Sequence, residues 1–144
     1  MNFHIAVCSP DPVLRGRVKR HCLEYYARRA DGCVVEQLSG VAELLKRETE
    51  GVRYELYLIE LSTANPAAGL QAAAQLRQRG CRAPLAFLAH TTAYAYEAFR
   101  VDAMQYLHIP FRPEQLTALL DRATEPEYGP VIGVTTAAGL RSLP

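Results

Sequence analysis

Five short apolar runs, punctuated by proline, glycine and serine, constrain the fold of this chain more than any other feature. They cover residues 3–8, 33–38, 54–61, 84–89 and 103–108. Runs of this length, apolar on consecutive positions rather than alternate ones, suit the strands of a parallel sheet covered on both faces. Segments of helical periodicity lie between them. Asp11-Pro12 is an N-cap followed by proline at the first helical position, and Leu14, Val18, Cys22 and Tyr25 form the inward stripe of a helix reaching about Arg29. Ser39 caps a second helix that turns Val41, Leu44 and Leu45 inward. An alanine-rich helix over 67–79 is closed by Gly80. Thr91 or Thr92 caps a helix to about Arg100, with Phe99 and Ala95 as a core pair, and Pro113 opens a last helix carrying Leu116, Leu119 and Leu120 inward. Strict strand–helix alternation predicts an α/β fold: a flavodoxin-like five-stranded parallel sheet, order 2-1-3-4-5, with helices on both faces.

Composition excludes several classes. The chain has 144 residues, 49% hydrophobic and 22% charged, enough for one domain with a real core. A net charge of +1 gives no global pull toward nucleic acid or an anionic membrane. No apolar run is long enough to span a bilayer and no signal peptide is visible, so a cytoplasmic protein with no membrane partner is expected. Cys8, Cys22, Cys33 and Cys81 show no CxxC spacing, and His4, His21, His90 and His108 are scattered; no metal and no cofactor are expected. The first helix carries Arg15, Arg17, Lys19, Arg20, Arg28 and Arg29 against one acid, Glu24, and reads best as a solvated face.

In the predicted strand order, ligands bind above the C-terminal ends of the strands. Ser9, Pro10, Glu60, Ala89 and Ile109 map to that edge. Glu60 is the one carboxylate among them. Residues 124–130 read as a linker after a first domain at 1–123. Residues 131–144 then read as a strand, a turn at Ala138-Gly139 and the start of a return strand. A lone hairpin does not support itself in water. Residues 131–144 are therefore expected either to open a second domain or to pack on the first domain or a partner.

Residues 3–123 resemble the receiver (CheY-like) domain of two-component response regulators, with the nearest likeness to LytTR-type transcription regulators. The carrying segments are Ile5-Ala6-Val7-Cys8 with Asp11-Pro12, the run Tyr54 to Glu60, the run Tyr94 to Phe99, and Ala103 to Phe111. The last ends on an aromatic, two residues, then Ile109-Pro110, where the family has Lys-Pro. The tail 131–144 looks like the opening strands of a LytTR DNA-binding domain. The resemblance implies two metal-binding acids after strand one, a phosphoacceptor Asp ending strand three, a Thr or Ser ending strand four and a Lys ending strand five. Here those places hold Ser9 and Pro10, Glu60, Ala89 and Ile109. Asp11 matches a place where the family often has an extra acid, but its capping role is a sufficient explanation.

The implied reading is a degenerate receiver: not an enzyme, but a phosphorylation-independent interaction module regulating transcription through an attached DNA-binding domain. Magnesium wants oxygen ligands, usually including carboxylates, and phosphoryl transfer needs cationic groups on the transferred oxygens. Two alternatives stand beside it: a conventional receiver phosphorylated on a non-standard residue, and a small-ligand sensor using the emptied pocket. Glu60 either mimics a phosphorylated Asp or, more simply, is a leftover carboxylate that is solvated or bonded to Ser9 or nearby backbone N–H groups. Tyr106 takes the place of the family's switch aromatic. With Tyr94 and Tyr96 it marks the face of helix four, strand five and helix five as the surface for a homodimer or protein partner, while DNA contact would belong to the missing C-terminal domain alone.

Overall fold

In the computed structural model the apolar runs become strands and the periodic segments helices. The structure describes residues 3–124, and the backbone alone at 2, 132–136 and 139–143. The elements run β1 (Asn2–Cys8), α1 (Pro12–Arg28), β2 (Gly32–Leu38), α2 (Val41–Thr49), β3 (Leu56–Leu61), α3 (Pro66–Gln78), β4 (Leu85–Ala89), α4 (Ala95–Arg100), β5 (Gln105–His108) and α5 (Pro113–Thr124). The first five strands are parallel and lie in the order 2-1-3-4-5. Two more strands, β6 (Ile132–Thr136) and β7 (Gly139–Leu143), continue the same sheet. β6 pairs parallel with β5, and β7 pairs antiparallel with β6. The backbone of the tail hairpin thus runs along the outer edge of β5. Thr124 closes α5; the rest of the expected linker and residues 137–138 lie outside the described residues.

The pleat splits the apolar side chains into two layers. Along β3, Tyr57, Ile59 and Leu61 enter the layer shared with Leu44, Leu76 and Ala98, while Leu56 and Leu58 enter the one shared with Val18, Cys22, Leu116 and Leu120. Every residue of β3 and β4 is buried, as strands covered on both faces must be. Packing is tight where α3 crosses β3: a Cβ at Gly69 would stand 2.6 Å from Leu61 Cδ2. Gly80 ends α3 at φ +92°, a conformation that side chains disfavour.

Several local expectations are corrected. The N-cap of α2 is Gly40. Ser39 instead donates to the Glu43 carboxylate through its backbone N–H (3.1 Å) and hydroxyl (2.5 Å). The N-cap of α4 is Tyr94, and the Thr91 hydroxyl accepts from the Ala93 N–H at 3.1 Å. Phe99 is not a core residue: it is 45% exposed, and Ala98 is fully buried in its place. Tyr94 and Ala98, four residues apart, set the inward face of this short helix, and Phe99 stands about 100° further round.

Arginines organise the pole of the sheet where the strands begin. Arg77 donates to the carbonyls of Cys81 (3.1 Å), Ala83 (2.8 Å), Val101 (2.9 Å) and Asp102 (3.0 Å), tying α3 to the loops that feed β4 and β5. Burial lowers its pKa below the ordinary guanidinium value. Nearby, the buried Glu48 pairs with Arg53 at 3.0 Å and Arg79 at 3.9 Å.

Candidate functional site

The opposite pole, where the parallel strands end, carries the candidate site. Glu60 stands one residue from the end of β3 and shares its parity with Leu56 and Leu58. It is 7% exposed. Ser9 follows β1 directly and is 1% exposed. Its hydroxyl donates to Glu60 Oε1 in a short hydrogen bond. Ser9 is fixed on every side: its N–H donates to Leu38 O at 3.0 Å, its carbonyl accepts from Arg15 at 2.6 Å, and its hydroxyl oxygen accepts the Asp11 N–H at 3.0 Å. Of the outcomes expected for Glu60, the bond to Ser9 is the one present.

The second partner of Glu60 is one that sequence reasoning missed. His90 follows β4 directly, and its Nε2 stands 3.4 Å from Glu60 Oε2. The imidazole is about half exposed. A signal was available, because the residue after strand four must reach the same edge as those after strands one and three. Its direction, however, depends on a loop that the sequence does not define.

The other positions also converge here. Pro10 and Asp11 are exposed. Asp11 Oδ1 accepts the Val13 N–H at 2.9 Å, which makes it the N-cap of α1. Ala89 is fully buried. Ile109 packs its half-buried side chain into the layer beneath α1 and α5, and its N–H donates to Ala89 O at 2.7 Å. The Ile109–Pro110 peptide bond is cis. Among the described residues no group of three or more His, Cys, Asp or Glu gathers as a metal set. Burial, aided by the negative charges of Glu43 and Glu60 and opposed by Arg15, pushes the neighbouring Cys8 thiol up to about 12.

Tyr106 is fully buried, and its hydroxyl donates to the Thr91 carbonyl in a short bond. Burial raises its pKa. A continuous path therefore runs from Ser9 through Glu60 and His90 to Thr91 and Tyr106. Tyr94 is half-buried against the core, whereas Tyr96 is 69% exposed on α4. A groove of about 430 Å³ lies elsewhere, between α1 and α5, lined by His21, Tyr25, Arg29, Thr117 and Asp121 among others. Internal bonds already occupy those groups: Tyr25 donates to Asp121 at 2.5 Å, Arg29 pairs with Asp121 at 3.0 Å, and His21 meets Thr117 at 2.9 Å.

Five parallel strands in the order 2-1-3-4-5, with the site at their C-terminal ends, match solved structures of one kind. A chemotaxis response regulator of Vibrio cholerae superposes with a TM-score of 0.71 at 19% identity, covering 85% of this chain and 99% of that one. The chain has the receiver fold. The response regulator TrrA of Thermotoga maritima, solved with magnesium and beryllium fluoride, gives 0.69 at 19% identity, covering 84% of this chain and 98% of that one. The response regulatory domain of MrkE from Klebsiella pneumoniae gives 0.71 at 15% identity, covering 86% and 95%. No family model matches the sequence, and no curated protein matches it. At these identities the likeness concerns the receiver fold alone. No helix among the described residues is long and apolar enough to cross a membrane.

Proposed function

We propose that this chain is an atypical receiver domain: a phosphorylation-independent signalling and protein-interaction module that regulates transcription through an attached DNA-binding domain of the LytTR type. The observation that carries this reading is the engagement of Glu60 by Ser9 and His90. Where a phosphoryl switch needs a free nucleophile, a metal and a cation, this pocket has a longer carboxylate already held from two sides. The extra methylene moves the oxygen off the in-line position, and a misplacement of that order costs roughly 100-fold in rate. Pro10 and Ser9 offer no carboxylate to magnesium, and Ala89 and Ile109 offer no hydroxyl or ammonium to the transferred oxygens.

Glu60 then acts as a strut rather than a nucleophile. It joins the ends of β1, β3 and β4 without a phosphoryl group, and the path through Thr91 keeps Tyr106 turned inward. Output would pass through α4, where Tyr96 and Phe99 are exposed side by side with aromatic surface suited to an interface. β5 contributes little edge to such a contact, because β6 pairs along it. The partner on this face is a second copy or another protein. DNA would be contacted by the attached domain, for which residues 131–144 carry the resemblance.

Intact-protein mass after incubation with magnesium and acetyl phosphate, with light scattering on the same samples, tests this reading. The expected result is no mass gain and an assembly state indifferent to the reagent. A stoichiometric phosphoryl adduct would overturn it.

A further inference from the structure

We infer that the tail hairpin is a releasable strap on the outer edge of β5, and that the edge it covers pairs with the same edge of a second copy once the strap lifts. Backbone direction is the first argument. The Met104 N–H donates to Leu85 O, on the β4 side. Backbone groups alternate sides along a strand, so those of Gln105 and Leu107 face the other way, toward β6. In the register that sets Val134 opposite Tyr106, Val134 is the β6 residue that turns its N–H and C=O to meet them. Lifting the hairpin leaves these groups of β5 without partners.

The unequal joints are the second argument. β5 and β6 pair only from Gln105–Gly133 to Leu107–Thr135, whereas β6 and β7 pair along their whole length, from Ile132–Leu143 to Thr136–Gly139. β7 has no other neighbour among the described residues. The hairpin is thus tied to the sheet by its shortest pairing, and local opening starts there. The third argument is the edge itself. Exposed edges are normally blunted by charged side chains or proline. Gln105-Tyr106-Leu107-His108 has no lysine, arginine, acid or proline. β7, the outer strand when the strap is docked, carries Arg141. The strap therefore replaces an unprotected edge with one that bears a cation. The bare edge is also self-complementary. Paired antiparallel about a two-fold axis, Gln105 lies opposite His108 and Tyr106 opposite Leu107, with no like charges facing. Tyr106, whose hydroxyl is held by the Thr91 carbonyl, belongs to this strand, so the pocket and the strap share one element. The inference goes beyond the proposed function and holds whether or not the pocket accepts a phosphoryl group.

Amide hydrogen exchange of the full chain, read residue by residue by NMR with light scattering on the same samples, tests the strap. The variants are Val134→Pro, which removes the N–H turned to β5, and Val134→Pro with Tyr96→Ala, which separates pairing through β5 from contact through α4. In the dilute parent the Gln105 and Leu107 amides should be protected, yet exchange about tenfold faster than that of Leu58 in the middle of the sheet. In dilute Val134→Pro they should lose a further factor of about ten, and regain protection as the protein dimerises at higher concentration. Adding Tyr96→Ala should leave that dimer intact. Circular dichroism checks that Val134→Pro keeps its fold, and exchange in the parent tests the strap without any variant. Parent amides at Gln105 and Leu107 that are unprotected, or as protected as Leu58, would overturn the proposal. So would a folded Val134→Pro that associates no more tightly than the parent, or a dimer that Tyr96→Ala abolishes.

Discussion

Two glutamates are buried to the same depth at opposite poles of this sheet, Glu48 at 6% exposure and Glu60 at 7%, and they are compensated in different ways. Glu48 meets permanent cations, Arg53 and Arg79, within a pole that Arg77 also stitches together. Even so, its Oε2 has no hydrogen-bond partner among the described residues. Glu60 meets a hydroxyl and an imidazole, with no arginine or lysine paired to either oxygen among the described residues. The first pole is built as structure, with fixed charges on long side chains that reach from exposed backbone. The second joins the ends of three strands through one hydroxyl, one carboxylate and one imidazole.

The comparison is sharpened most by removing the structural cations. Arg77→Ala deletes four bonds to carbonyls in two loops, and a loss of about 3 kcal/mol is expected in urea denaturation. A change below about 1 kcal/mol would mean that this pole does not depend on its arginines. The pair Arg53→Ala with Arg79→Ala leaves Glu48 without a cation, with an expected cost of about 2 kcal/mol, moderated because both arginines are more than half exposed. Adding Glu48→Gln to that background should recover part of the loss.

The second pole should respond less, and differently. Ser9→Ala removes the donor to Glu60 Oε1 and is expected to cost about 1–2 kcal/mol. Glu60→Gln keeps an acceptor for Ser9 and should change stability by less than about 1 kcal/mol. If Glu60→Gln also leaves assembly unchanged, measured by light scattering, the charge of Glu60 has no special role. The smallest effect lies outside both poles. Burial beside Thr117 lowers the pKa of His21, so the unfolded chain binds its proton more readily than the folded one. Its contribution is present above the unfolded histidine value and is lost as pH falls toward the folded one. His21→Asn should flatten that part of the stability-versus-pH curve measured by denaturant titration.

The fold was legible because burial on both faces leaves a direct trace in strand composition. Residues 56–61 and 85–89 are apolar almost throughout, and both segments lie in the middle of the sheet. The convergence of Ser9, Glu60, Ala89 and Ile109 follows from strand order alone, whereas the Ser9–Glu60 bond is one of several outcomes that the sequence leaves open for Glu60. Other features depended on directions that a sequence does not encode. His90 sits in a loop, where no periodicity marks which way a side chain points. Phe99, an aromatic spaced four from Ala95, resembles part of a buried stripe, yet Tyr94 and Ala98 set the inward face of α4 and leave Phe99 45% exposed. The four carbonyls collected by Arg77 lie in two loops, 4 to 25 residues away in sequence. The path from the tail hairpin to β5 rests on strand pairing between segments separated by a whole helix.

The most direct test of the central claim, that the receiver frame is kept while its phosphoryl chemistry is absent, is to restore the chemistry. A variant carrying Ser9→Asp, Pro10→Asp, Glu60→Asp, Ala89→Thr and Ile109→Lys would be compared with the parent by intact mass after magnesium and acetyl phosphate. The account predicts a phosphoryl adduct on the variant and none on the parent. An adduct on the parent, or a folded variant that binds magnesium and still takes no phosphoryl group, would contradict it.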